Sequence, residues 1–75
     1  MTADELIDAK RAYYAKPGNS AGGLLHFILD DGNMEDEWLR QAVKRCRRMK
    51  DVDGQRIAEG LLTLSDGARE KVYLA

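Results

Sequence analysis

Seventy-five residues, 33% of them charged and summing to a net charge of −1, make one domain with no room for a second core or a large enclosed substrate cavity. The near-neutral balance excludes a chain that is basic overall, as a dedicated nucleic-acid binder would be, and an acidic disordered tail. One cysteine, Cys46, excludes an internal disulfide and a multi-cysteine zinc site and fits a reducing cytosol.

So short a chain buries only about 60–65% of the surface its unfolded form exposes, and its stability leans on every apolar side chain. Nine Leu, three Ile, three Val, one Phe and one Trp suffice for one core. An enzyme of this length would need to build its site between subunits, so a homo-oligomer is one expectation. No apolar run approaches the ~20 residues that span a bilayer. The opening Asp4, Glu5 and Asp8 do not read as a secretion signal.

Taken in chain order, Thr2-Ala-Asp-Glu5 reads as a capping box, followed by a helix with Leu6, Ala9 and Tyr13 on one face and Ile7 and Tyr14 beside it. Pro17 disfavours helix in its predecessor, so this helix stops at Lys16. Pro17-Gly18-Asn19 is turn chemistry. Asn19 or Ser20 caps a second helix, Ala21 to Asp31. Its residues Leu24, Leu25, Phe27, Ile28 and Leu29 leave almost no polar face, the pattern of a helix buried mid-bundle. A strand is the rival reading, but no other stretch offers it a partner within the chain.

Gly32 suits a left-handed helix terminus. Asn33 is then the expected N-cap of a third helix, with Asp36 at its third position, running to about Lys50. Leu39, Ala42, Val43, Cys46 and Met49 form the clearest helical stripe in the chain, with Trp38 on its flank. Asp51-Val-Asp53-Gly54 marks a break or a new cap. A fourth helix carries Ile57, Ala58, Leu61, Leu62 and Leu64. Ser65 caps a last one with Ala68, Val72 and Leu74. The expected fold is all-α, a compact bundle of four to five short helices in a single domain, residues 1–75.

Four features could carry chemistry. His26 and Asp30 are four apart on one helical face, so they could share a metal or a proton. Nothing in the spacing selects further ligands among Asp31, Glu35, Asp36 and Cys46, and a histidine packed at the core edge explains the pair as well. Asp30 and Asp31 in the last turn oppose the helix dipole at about 0.3–1 kcal/mol each. The loop fails as a calcium site, because Phe27 would occupy its first ligand position. That leaves His26, Asp30, Asp31, Asn33, Glu35 and Asp36 as a candidate partner-binding patch. Gly18 to Gly23 enters a helix start and could hold a phosphate, but it lacks the phosphate-binding lysine motif. Arg40, Lys44, Arg47 and Arg48 share one face of the third helix and could track nucleic-acid phosphates, though acids first and bases last is also what the helix dipole favours. Cys46, on the apolar stripe, reads as core rather than nucleophile.

The run from Tyr13-Tyr14 through Gly22-Gly23-x-Leu25-His26-x-x-Leu29-Asp30-Asp31-Gly32-Asn33-x-Glu35-Asp36 resembles small uncharacterised proteins encoded by bacteriophages and prophages. The resemblance covers about the first half of the chain. It implies a bacterial host cytosol and work of the kind small phage proteins do, binding and inhibiting host or defence proteins or capturing a small signal. It assigns no catalytic residue and no cofactor. The expected function is therefore non-catalytic binding of a host or phage protein, with nucleic-acid binding through the third helix as the alternative.

Overall fold

Five helices account for the regular structure among residues 1–16 and 23–75, which are those described by the structure, a computed structural model. They are α1 (Ala3–Ala15), α2 (Leu24–Asp31), α3 (Asp36–Arg48), α4 (Val52–Leu62) and α5 (Asp66–Leu74). The all-α expectation holds, and no strand occurs among the described residues. The Cα radius of gyration, 10.9 Å, matches the about 11 Å of a compact chain this long.

The local start signals act as the sequence implies. Thr2 Oγ1 accepts from the Glu5 amide at 3.2 Å, and the Thr2 amide donates to the Glu5 carboxylate at 2.9 Å. That backbone hydrogen bond holds the Glu5 carboxyl below its ordinary pKa. Asp51 recaps the chain by accepting from the Gly54 amide, and Ser65 accepts from the Ala68 amide. Gly32 ends α2 at φ +82°, and its amide donates to the Ile28 carbonyl. The Tyr73 ring lies 2.9 Å from where a Cβ on Gly32 would stand, so glycine is required there for space as well as backbone.

One buried cluster joins the helices. α3 and α4 form the most extensively packed pair, α1 lies against α4 and α5, and α2 against α3. Leu6, Ile28, Leu29, Leu39, Ile57, Leu61 and Val72 are its fully buried members. Gly60 lets α4 approach α1, where Leu6 fills the space a Cβ would need.

Tertiary packing overrides the sequence reading at several points. Asn33 does not cap α3. Glu35 holds the N-cap position without a side-chain hydrogen bond, and Asp36 is the first helical residue rather than the third. The cause is Met34, which is buried while its carbonyl is bound by Arg69, so the chain stays non-helical through Glu35. α3 ends two residues before Lys50 because Lys50 takes a left-handed φ of 59°. Met49, the expected last member of the stripe, is therefore exposed, as is Leu74 at the end of α5. α2 begins at Leu24 rather than Ala21, with Gly23 as its N-cap. It packs at the side of the bundle rather than its middle, and Phe27 is 57% exposed. The Pro17-Gly18-Asn19 turn, the Asn19 or Ser20 cap and the phosphate reading of Gly18 to Gly22 lie outside the described residues.

Candidate functional site

One buried cation, Arg69, builds the corner between α2, α3 and α5, and a second, Lys10 of α1, binds the end of α5. Arg69 lies on α5 one turn before Val72, on the stripe that faces the core. It is 7% exposed. Its Nε donates to the Leu61 carbonyl at 2.8 Å, and Nη2 donates to the Leu62 carbonyl at 3.2 Å, satisfying the C-terminal end of α4. Nη1 donates to the Met34 carbonyl at 2.7 Å, and Nη2 also meets Asp36 Oδ1 at 2.7 Å. Lys10 does the same for α5. Its Nζ donates to the Val72 and Tyr73 carbonyls, both at 3.1 Å.

Arg69 thus anchors the chain between α2 and α3 beside α5, and a groove of about 460 Å³ opens between them. Asp31, Asn33 and Glu35 line one wall, and Asp66, Glu70 and Tyr73 of α5 line the other. The guanidinium lies at the base, where Asp36 pairs with its charge. The four carboxylates Asp31, Glu35, Asp66 and Glu70 are exposed and enter no ion pair among the described residues, so the groove is acidic.

The structure divides the acidic patch expected from the sequence. Asp31, Asn33 and Glu35 line the groove. Asp36 is committed to Arg69 and, at 3.6 Å, to Arg40. Asp30 faces α1 instead, where it accepts from the Tyr14 hydroxyl at 2.7 Å. His26 does not meet Asp30. It is 8% exposed and flanked by the rings of Tyr13 and Tyr14, with centroids 5.1 and 5.2 Å away. Its Nδ1 has no hydrogen-bond partner among the described residues.

Tyr13 is buried and donates to Asp51 at 2.6 Å. Burial first, and the Asp51 hydrogen bond second, raise its phenol above the ordinary pKa. Tyr14 is raised in the same way, by burial and then by Asp30. Burial lifts the Cys46 thiol to about 11, with the Asp51 charge adding to it, so this cysteine is an inert core residue.

Among the described residues, no group of three or more His, Cys, Asp or Glu is placed to hold a metal ion. Arg40, Lys44, Arg47 and Arg48 are all exposed on α3. No helix is long and apolar enough, among the described residues, to cross a membrane.

Comparison with protein-family models, curated proteins and solved structures returns no match to this chain.

The sequence reading passes over Arg69, Asp66, Glu70 and Tyr73. A signal for Arg69 exists: an arginine three residues before Val72 falls on the apolar stripe of α5, where a charge must find partners if it is buried. Lys10, between Leu6 and Tyr13 on α1, carries the same signal.

Proposed function

We propose that this is a small non-catalytic binding protein whose acidic groove takes a basic segment of a host or phage protein in the bacterial cytosol, inhibiting that partner by occupying it. The single observation behind this reading is the groove itself. Four carboxylates that enter no ion pair among the described residues line the two walls of a depression whose arginine is already paired with Asp36. Such an arrangement attracts lysine and arginine side chains and speeds encounter with a basic surface. The Arg69 anchor holds both walls in place before any partner arrives, which lowers the ordering cost of binding. The likeness of residues 13–36 to small phage proteins supports the host setting.

The test is capture from a bacterial lysate on immobilised protein, comparing wild type with the Asp31→Lys, Glu35→Lys double variant. A basic protein retained by wild type, released by salt and absent from the variant is the expected result. Equal retention by both would remove the groove from consideration.

Nucleic-acid binding is the second reading, favoured by the exposure of Arg40, Lys44, Arg47 and Arg48 and by the lack of ion pairs at the last three among the described residues. It requires retardation of duplex or single-stranded DNA or RNA at low salt, with affinity falling steeply as salt rises. Unretarded nucleic acid at low salt would exclude it.

A further inference from the structure

The flank of α3 nearest α2 shares no residue with the acidic groove and has a different character. Glu37, Gln41 and Arg45 are spaced four apart, so they stand in one row along the helix. A second groove, of about 380 Å³, follows this row and is lined by Leu24, Glu37, Trp38, Gln41 and Arg45. Trp38, the chain's single tryptophan, is 43% exposed in it. Leu24 supplies apolar surface from α2, and the exposed Phe27 stands one turn further along that helix. Glu37, Lys44 and Arg45 are exposed and enter no ion pair among the described residues.

The row is complementary to its own reverse about Gln41. Glu37 and Arg45 stand four residues to either side of it. A two-fold interface requires this property, because each residue i that meets j must be matched by j meeting i. Laid antiparallel with the axis at Gln41, two copies of α3 bring Glu37 of each against Arg45 of the other. Trp38, in the same groove as this row, is covered as the two helices meet. Gln41 then meets itself, and a carboxamide, being both donor and acceptor, can satisfy its own image.

We propose that two copies of this chain pair antiparallel through α3, with the two-fold axis at Gln41. The charges match only in this orientation, since a parallel copy would set Glu37 against Glu37 and Arg45 against Arg45. Near-antiparallel crossing is also a preferred way for helices to pack. A 13-residue helix is about 20 Å long, so the interface is at the small end of specific ones and the dimer forms at micromolar or higher concentration.

Sedimentation velocity over a concentration series, read together with Trp38 emission, tests this. Wild type should pass from monomer to dimer, with Trp38 emission shifting to shorter wavelength. Glu37→Arg alone and Arg45→Glu alone should each weaken association by about tenfold or more, and the double exchange should restore it. Circular dichroism checks that these exposed substitutions leave the fold intact. As a second measurement, Gln41→Cys should be joined to its own copy by a short bismaleimide, Cys46 being buried, whereas Glu59→Cys on α4 should not. A monomer at every concentration would overturn the proposal. So would a dimer indifferent to the single exchanges, or a double exchange that fails to restore it.

Discussion

Arg69 Nη2 lies 2.7 Å from Asp36 Oδ1, joining the middle of α5 to the first residue of α3 across thirty-three positions of sequence. The same guanidinium reaches three backbone carbonyls, so it works as a clasp for the ends of two helices rather than as a surface charge. Replacing Arg69 with methionine keeps much of the volume but strands the Leu61 and Met34 carbonyls. The expected loss is roughly 2–4 kcal/mol, read as a lower urea midpoint. Asp36→Asn should lose far less, because Asp36 is half exposed and its partner keeps the carbonyls. A loss of under about 1 kcal/mol for Arg69→Met would mean that water replaces the clasp.

Lys50 is the one non-glycine residue with positive φ among those described. The Asp51 amide donates to the Cys46 carbonyl at 2.8 Å and the Lys50 amide to the Arg47 carbonyl at 3.2 Å, the paired bonds of a left-handed helix terminus. Glycine adopts this conformation without a Cβ penalty. Lys50→Gly should therefore stabilise the protein by about 0.5–1 kcal/mol, after the extra freedom of the unfolded chain is set against the relieved strain. Thermal melts would show a rise of a few degrees for so small a chain. An unchanged or lower melting temperature would show that Lys50 has a compensating interaction.

These two residues also show what the sequence can and cannot carry. Thr2 with Glu5, Ser65 and Gly32 are legible because their chemistry is local: each acts on a backbone group no more than four residues away. The periodicity of Leu39, Ala42, Val43 and Cys46 is likewise a property of one helix. The start of α3 is not, since Met34 is held by Arg69 from thirty-five residues further on. The site divides in the same way. The acidity of Asp31 and Glu35 can be read from the chain, but their groove exists only because α5 supplies the second wall. Asp30 leaves the patch because Tyr14, sixteen residues earlier, takes its carboxylate. The His26–Asp30 spacing was compatible with a pair, and tertiary packing gave each a different neighbour.

His26 makes a third prediction possible. Its Nδ1 is buried without a partner among the described residues, and an unsatisfied buried polar atom costs about 1–3 kcal/mol. Its ring neighbours, Tyr13 and Tyr14, are aromatic and would pack as well against a hydrocarbon ring. His26→Phe should raise the urea midpoint by the equivalent of about 1 kcal/mol, part of the gain being offset by the larger ring. His26→Ala should lower it by leaving a cavity beside Tyr13. Destabilisation by His26→Phe as large as that by His26→Ala would show that the imidazole nitrogen has a role that packing does not supply.

The last prediction concerns alkali. Tyr13, Tyr14 and Cys46 all have pKa values pushed upward in the folded protein, chiefly by burial and then, for each, by a neighbouring aspartate. A group whose pKa is raised on folding binds its proton more tightly in the native state. Its contribution is complete below the unfolded pKa and disappears as pH climbs through the folded one. For the Cys46 thiol the window runs from its ordinary 9.0 to about 11. For the phenols the loss begins at their ordinary 10.0 and continues above it. Stability from these three groups should therefore be level up to about pH 9 and fall steadily beyond it. The unfolding transition should coincide with the rise in tyrosinate absorbance. Tyr13→Phe should make the alkaline slope shallower, because the buried phenol facing Asp51 is then gone. Asp51 Oδ1 would still cap α4 through the Gly54 amide, so the variant should remain folded at neutral pH. Denaturant midpoints for wild type and Tyr13→Phe, compared at neutral pH and at pH 9, 10 and 11, decide the matter: parallel alkaline slopes would mean that the Tyr13–Asp51 contact is open in solution.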